Sequence, residues 1–179
     1  NLLLKNNLMI IFFVDQNLKK LPLSEILDIE KLNNVDRSIE VANGLPNECY
    51  TNANYLAHEK EKIFFNKWTV VGVGSSIPKA GDAKPYNLLG IPLILIRDKD
   101  MKIRVFHNVC SHRGFKLLDK LCKLKNVIRC PYHSWSYDFK GNLVATPHIG
   151  GLNNHQHKEF DKTKSHLKEV RTKIWMDII

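Results

Sequence analysis

The spacing of apolar side chains changes along the chain, and each change marks a different region. Residues 1–50 are rich in Asn, Lys and Leu, with only a weak helical pattern at Ile26, Ile29 and Leu32. We predict an N-terminal arm here. The apolar run at residues 8–14 is too short to span a bilayer, which needs about 20 residues, and we interpret it as a strand or a helix edge.

A helical pattern covers residues 51–66. Thr51 and Asn52 are both suitable residues for capping the start of a helix. Apolar positions then recur at roughly helical spacing, at Tyr55, Leu56, Ile63 and Phe64. The pattern therefore predicts one helix after the N-terminal arm.

From Trp68 onward, apolar residues occur in short runs separated by turn residues, which is typical of antiparallel β structure. The runs are Trp68–Gly74, Ile91–Ile96, Ile103–Phe106, Val127–Arg129, Trp135–Phe139 and Leu143–Thr146. Residues 140–142 form a predicted hairpin turn. Pro92 is compatible with a strand only near its start or on an edge. We predict an antiparallel β domain over residues 67–150.

The last part of the chain, residues 151–179, begins with a polar stretch and ends with an alternating and then apolar one. We predict a linker followed by a strand over Leu167–Ile179. Domains rarely end inside an apolar strand, so we expect this strand to be the first of a further domain. The first residue is Asn rather than Met, which suggests a processed chain or a fragment.

Composition excludes several classes of protein. The chain has 179 residues, of which 44% are hydrophobic and 25% charged, as in folded globular proteins. Its formal charge of +9 suggests an acidic partner, but the basic residues form no block, so we expect no nucleic acid partner. Four cysteines are too few for a disulfide-stapled miniprotein. We expect a cytoplasmic protein without a membrane segment.

Two short motifs bring together metal-ligating side chains. Cys110-Ser-His112 is followed, after seventeen residues, by Cys130-Pro-Tyr-His133. The four side chains Cys110, His112, Cys130 and His133 make a set of two thiolates and two imidazoles. Zinc accepts such a set, although its usual motifs pair cysteine with cysteine and histidine with histidine. Mixed motifs suit a 2Fe–2S cluster in which the cysteines bind one iron and the histidines the other.

The mixed ligand set has a consequence for electron transfer. Two thiolates and two neutral imidazoles leave an oxidised cluster uncharged, whereas four thiolates leave it doubly negative. An uncharged cluster is easier to reduce, and potentials of ~−150 to +300 mV are typical, against ~−400 mV for all-cysteine plant-type ferredoxins. The imidazoles also keep a ring N–H for hydrogen bonding to a redox partner.

The residues around both motifs resemble the cluster loops of Rieske non-haem iron oxygenases. Phe106–Gly114 is similar to that family's N-x-C-x-H-R-G, and Arg129–Tyr137 to its C-P-Y-H-G-W-x-Y. The resemblance covers roughly residues 45–179, and the opening Leu45-Pro46 looks like the choline, carnitine and phenylpropionate oxygenase group. Ser134 departs from the Gly that the family usually has; if this position needs a positive φ, Ser costs about 1 kcal/mol there.

The resemblance implies a mainly β fold. It comprises an antiparallel Rieske 2Fe–2S domain, preceded by an N-terminal helical arm and followed by the start of a truncated catalytic domain. Cys110, His112, Cys130 and His133 would bind the cluster, and Tyr132 and Trp135 would shield its sulfides. Rieske proteins of respiratory complexes have a disulfide between the loops, but here Phe115 and Tyr132 take those positions. Arg113 would orient the acceptor side, or form a surface ion pair.

The family's activity implies further components. Its cluster passes electrons from a reductase or ferredoxin to a mononuclear Fe(II), held by two histidines and a carboxylate in a C-terminal domain, for O2-dependent hydroxylation of a small organic substrate. The family also forms trimers. No such iron motif is present, so we expect no catalytic residue in this chain, and we interpret His155 and His157 as linker residues.

Two alternatives remain open. One is a stand-alone Rieske ferredoxin, although such electron carriers are usually shorter than this chain. The other is a zinc-binding structural module. We interpret His107 and His148 as structural or surface residues and assign no ligand role to Cys49 or Cys122.

Overall fold

The computed structural model describes residues 21–179, which form two compact units that divide between Thr69 and Val70. The first twenty residues of the predicted arm, including the apolar run at 8–14, lie outside the described residues. In the part of the chain that the structure describes, no helix has the length and apolar character needed to cross a membrane.

The first unit consists of short helices. They are α1 (Leu23–Ile26), α2 (Ile29–Asn33), α3 (Glu48–Thr51) and α4 (Ala53–Glu59), and α4 continues into a π-helical turn, Lys60–Phe64. Ile26, Leu27 and Cys49 form its small buried core. The sequence therefore located helical structure in this unit, but not its division into short segments.

Asn52 explains why the helix predicted over 51–66 is interrupted. Its backbone leaves the helical conformation, with φ −87° and ψ 121°. Its side-chain oxygen accepts hydrogen bonds from the backbone N–H groups of Asn54 and Tyr55, at 2.8 and 3.3 Å. A capping residue cannot also continue the preceding helix, so α3 ends at Thr51 and α4 starts afresh.

The second unit contains two antiparallel sheets. The larger has the strand order β4-β1-β2-β3-β8 and the smaller β5-β6-β7. The strands are β1 (Asp82–Leu88), β2 (Ile91–Arg97), β3 (Ile103–His107), β4 (Cys122–Lys123), β5 (Ile128–Arg129), β6 (Ser136–Tyr137), β7 (Leu143–Ala145) and β8 (Glu169–Val170). The predicted fold class, mainly antiparallel β, is confirmed.

Both sheets pack into one hydrophobic core. Ile94, Ile96 and Phe106 contribute from the larger sheet, and Ile128 and Tyr137 from the smaller; all five are fully buried. The same core includes two side chains from the metal-binding motifs, which are Cys110 and Cys130. The two motifs therefore meet at the edge of the core, one after β3 and the other between β5 and β6.

A buried ion pair fixes the turn before the first motif. The Asp98 carboxylate is fully buried and accepts hydrogen bonds from the backbone N–H groups of Asp100 and Lys102 and from Arg104 Nε, at 2.8–2.9 Å. Burial acts to raise the pKa of Asp98, but the hydrogen bonds from Arg104 and the backbone outweigh it and hold the pKa below its usual value. Asp98 thus holds together the turn of the β2–β3 hairpin, and β3 leads directly to Cys110.

The structure differs from the predicted strands in three places. The sequence pattern predicts neither β1 nor β4, and β4 is an edge strand of two residues. The run Trp68–Gly74 forms no strand; it ends where the 3-10 turn Gly74–Ser76 begins, and it pairs at a single bridge, Val73 with Ile178. In place of the strand predicted over Leu167–Ile179, only Glu169–Val170 is a strand, and it pairs with β3 of the larger sheet.

Candidate metal centre

The two motifs lie on loops of the same backbone geometry. In the first loop, the Cys110 N–H donates to the Phe115 carbonyl, and the Gly114 N–H donates back to the Cys110 carbonyl, at 2.8 and 2.9 Å. In the second, Cys130 pairs in the same way with Trp135 and Ser134, at 2.8 and 3.0 Å. The fifth residue of each loop has a positive φ. Each loop is therefore a tight turn that begins at a cysteine.

The loops bring the two thiols together inside the core. Cys110 and Cys130 are each 2% exposed and belong to the same buried cluster, and the nearby Cys130 acts to raise the pKa of Cys110. Burial raises the pKa of the Cys110 thiol, and a hydrogen bond to Tyr137 opposes that rise. A buried thiol ionises when a nearby cation stabilises the thiolate, and a metal centre is such a cation.

The two imidazoles form the outer half of the site. The ring centroids of His112 and His133 are 4.8 Å apart. The His112 ring stacks on the buried Trp135 at 4.5 Å, with an interplanar angle of 10°. Burial, followed by the nearby His133 and Arg113, lowers the pKa of His112. A lowered pKa keeps the imidazole neutral at neutral pH, which is the form that binds metals.

One ring nitrogen of His133 is buried without a hydrogen bond. Among the described residues, only two buried side-chain polar atoms have no hydrogen-bond partner, His133 Nδ1 and His107 Nδ1. A buried ring nitrogen without a partner is costly unless it binds something else. His133 Nδ1 thus fits the role of a metal-ligating atom, and with it the donor set fits a 2Fe–2S cluster.

The four side chains are grouped as two pairs. A dinuclear cluster needs only two protein ligands at each iron. Pairing thiol with thiol and imidazole with imidazole is the arrangement that such a cluster uses.

Tyr137 is a residue at the site for which the sequence pattern predicts no role. Its hydroxyl oxygen lies 3.3 Å from Cys110 Sγ and accepts a hydrogen bond from the Ser111 backbone N–H at 3.1 Å. Burial and the neighbouring Cys110 raise the pKa of Tyr137, so the hydroxyl keeps its proton. It lies within the motif that carries the family resemblance, but 26 residues from Ser111, so only the fold reveals the contact.

Aromatic side chains border the site unevenly. Trp135 is 3% exposed and packs edge-on against Phe160; its shielding of the sulfides stays a prediction. Tyr132 is 54% exposed, and its ring centroid lies 3.7 Å from that of His133. It therefore covers an imidazole at the protein surface. Phe115 contacts Tyr132 at 5.5 Å. This aromatic pair joins the loops where respiratory Rieske proteins have a disulfide.

Other candidate residues from the sequence lie elsewhere. Arg113 is exposed beside His112. His155 and His157 are exposed, and the Nδ1 atoms of both accept backbone N–H groups, at 3.1 and 3.3 Å. Cys122 is on the edge strand β4, and Cys49 is in the first unit; neither forms a disulfide.

Comparison with known proteins places this geometry among iron–sulfur proteins. Residues 67–156, half of the chain, match the model of the Rieske [2Fe-2S] domain. The carnitine monooxygenase oxygenase subunit of Escherichia coli (strain K12) is 38% identical over 127 residues, which are 71% of this chain and 33% of that protein. Chloroplastic choline monooxygenase of Arabidopsis thaliana is 31% identical over 76% of this chain and 31% of its own length.

Solved structures show the same similarity. A quaternary ammonium Rieske monooxygenase in complex with gamma-butyrobetaine is 32% identical, with a TM-score of 0.68 over 90% of this chain and 42% of that one. Naphthalene 1,2-dioxygenase from a Rhodococcus species is 26% identical, with a TM-score of 0.62 over 70% of this chain and 28% of that one. The chain spans about a third of the length of the curated relatives named above.

Proposed function

The chain belongs to the Rieske [2Fe-2S] domain family, and we propose that Cys110, Cys130, His112 and His133 hold its cluster for one-electron transfer within an oxygenase. The two cysteines would bind one iron and the two histidines the other. The cluster supplies a single chemical ability, which is to accept one electron and release it again.

The observation that carries this proposal is the pairing of ligands by type at the edge of the core. Cys110 and Cys130 are buried in the same core cluster, while the ring centroids of His112 and His133 are 4.8 Å apart. The unpartnered His133 Nδ1 supports the same assignment. Tight turns set the directions of the cysteines, and Trp135 sets the plane of the His112 ring.

The environment of the ligands suits electron exchange with a partner protein. The cysteine half lies in the core, where water is excluded, and the histidine half lies at the surface. The exposed Tyr132 lies against His133, and the exposed Phe115 packs against Tyr132. A partner protein that docks there would be separated from the metal centre by the imidazole rings, and the fold would not have to open.

The relatives extend the proposal to a whole enzyme. Those named above are mono- and dioxygenases, and this chain covers about a third of the curated ones. We propose that a reductase or ferredoxin reduces this domain, and that the electrons pass to a mononuclear iron outside it for O2-dependent hydroxylation of a small organic substrate. The trimeric assembly expected from the sequence is part of the same proposal.

Anaerobic reconstitution of the full chain with iron and sulfide tests the cluster. We expect two irons and two acid-labile sulfides per chain, visible absorption, and a paramagnetic signal after one-electron reduction. A colourless chain that binds one zinc ion would contradict the proposal. Hydroxylation of a substrate by this chain alone would contradict the division of labour, because the proposed catalytic iron lies outside it.

A further inference from the structure

Ser111, between the proposed ligands Cys110 and His112, makes hydrogen bonds on two sides. Its hydroxyl donates to the Ser165 carbonyl at 2.8 Å and lies 3.2 Å from the His166 carbonyl. On its other side, Ser111 Oγ lies 3.3 Å from the Tyr137 hydroxyl. A serine hydroxyl has one hydrogen and two lone pairs. Because carbonyls only accept, the Ser111 hydrogen is committed to them, and Oγ faces Tyr137 as an acceptor.

The carbonyls that fix Ser111 are themselves held in place. They belong to the last residue of the 3-10 turn Lys162–Ser165 and to the residue after it, and the start of this turn is capped by the Asp161 carboxylate. His166 Nδ1 accepts the Leu143 N–H at 2.9 Å, and the Leu167 N–H donates to the Gly141 carbonyl at 2.8 Å. The direction of the Ser111 hydroxyl is therefore set by a segment more than fifty residues away.

Tyr137 has one hydroxyl hydrogen and two acceptors for it. Cys110 Sγ and Ser111 Oγ are both 3.3 Å away. That distance is good for a bond to sulfur and long for one between two oxygens. A thiolate is also the stronger acceptor because it is charged. The hydrogen is thus shared, with the larger share on Cys110 and a smaller one on Ser111.

We propose that Ser111 is a positioning residue that limits the hydrogen bond from Tyr137 to Cys110 and thereby lowers the reduction potential of the cluster. Hydrogen bonds to the ligating sulfurs raise the potential of an iron–sulfur cluster, since they stabilise the added negative charge. An acceptor that competes for the same hydrogen has the opposite effect. The proposal rests on the ligand role proposed above for Cys110.

Potentiometric titration of the cluster-loaded full chain, followed by the paramagnetic signal, tests this. In Ser111→Ala, Tyr137 has only Cys110 to donate to. We therefore expect the equilibrium constant for one-electron reduction to rise about threefold, which raises the reduction potential by about 30 mV at 59 mV per tenfold change. Ser111→Thr keeps a hydroxyl, so its equilibrium constant for reduction should change by less than about 1.5-fold, which keeps the potential within about 10 mV of that of the unmodified chain. In the Tyr137→Phe background, Ser111→Ala should cause no shift.

The signal comes only from loaded molecules, so a lower cluster content does not alter the midpoint. Ser111→Gly also removes the hydroxyl and replaces Ser111→Ala if the latter takes up too little iron. An unchanged or lowered potential in both variants, or an equal rise in the Tyr137→Phe background, would overturn the proposal. Failure to form any cluster in the unmodified chain would instead overturn the proposed function.

Discussion

Gly114 and Ser134 occupy the same position in the two ligand loops. Their φ angles are 68° and 59°, and the N–H of each donates to the carbonyl of the cysteine that starts its loop. Glycine adopts this conformation without strain, whereas serine does not. Ser134 Oγ accepts a hydrogen bond from Arg129 at 2.9 Å, which offsets part of the cost.

Ser134→Gly should stabilise the chain. Relief of backbone strain contributes about 1 kcal/mol, and loss of the exposed bond to Arg129 removes roughly 0.5 kcal/mol of that gain. We expect a higher free energy of unfolding in urea titrations. Ser134→Ala, which loses the bond and keeps the strain, should be slightly destabilised. Gly114→Ser should lower the free energy of unfolding by about 1 kcal/mol through backbone strain alone. Apart from its chain neighbours, no atom lies within 4 Å of the position that the new Cβ would take, so a clash adds nothing. An unchanged free energy of unfolding in Gly114→Ser would contradict the strain at this position.

Cys130→Ser should abolish cluster binding, because serine oxygen is a poorer ligand for iron than thiolate. Iron content and visible absorption should fall to a small fraction of those of the unmodified chain. Cys122→Ser is the matched control, since Cys122 lies between the two loops on the edge strand β4. It should keep its iron. Equal losses in both variants would contradict the proposed ligand set.

Trp135→Ala should destabilise the chain by about 3–5 kcal/mol, the usual cost of removing a buried aromatic side chain. Trp135 is 3% exposed and contacts both His112 and Phe160. Trp135→Phe keeps a ring against His112 and should lose less. Chemical denaturation measures stability, and the rate of iron release to a chelator measures the state of the site. A loss below about 1 kcal/mol in Trp135→Ala would show that this packing contributes little.

Asp98 should make the chain sensitive to acid. Its folded pKa is lowered, so its contribution to stability is fully present above the unfolded pKa of about 3.9 and disappears as the pH falls through the folded value. Asp98→Asn should cost about 2 kcal/mol at pH 7, less than for a fully buried pair, because Arg104 is 23% exposed.

The difference in unfolding free energy between Asp98→Asn and the unmodified chain should be constant from neutral pH to about 5 and shrink below about 4. Asp100→Asn is the control, because its bond to Lys140 at 3.0 Å is exposed on both sides. It should change stability by less than about 0.5 kcal/mol. A difference for Asp98→Asn that does not vary with pH would exclude the carboxylate as the titrating group.

The sequence predicted the parts of the fold whose side chains are buried. β2 is almost continuously apolar and buried, and Pro92 stands second in it, where a strand tolerates proline. β1 escaped prediction because its sequence, Asp-Ala-Lys-Pro-Tyr-Asn-Leu, has only one buried residue. Pairing with β2 over six positions makes it a strand, and such pairing is a property of the fold rather than of the segment.

The candidate site divides in the same way. Spacing and residue type are enough to propose the four ligands, since ligand chemistry is carried by the residues themselves. The hydrogen bond between Tyr137 and Cys110 joins residues 27 apart in the chain, and no local pattern encodes it. The strand over Leu167–Ile179 was overpredicted because alternation alone does not show which residues find a partner strand.

Side chains that follow the second cysteine contact the proposed ligands of the first loop. Trp135 and Tyr137, which follow the second cysteine, hold His112 and Cys110 of the first loop. During synthesis, a ribosome that has released residues up to 129 has made two of the proposed ligands and the turn that begins at Cys110, but neither Trp135 nor Tyr137. We therefore expect cluster insertion to follow the emergence of Tyr137 and the pairing of β5 with β6. Before that point the first loop offers one thiol and one imidazole, and after it all four side chains are present together with the aromatic groups that contact them.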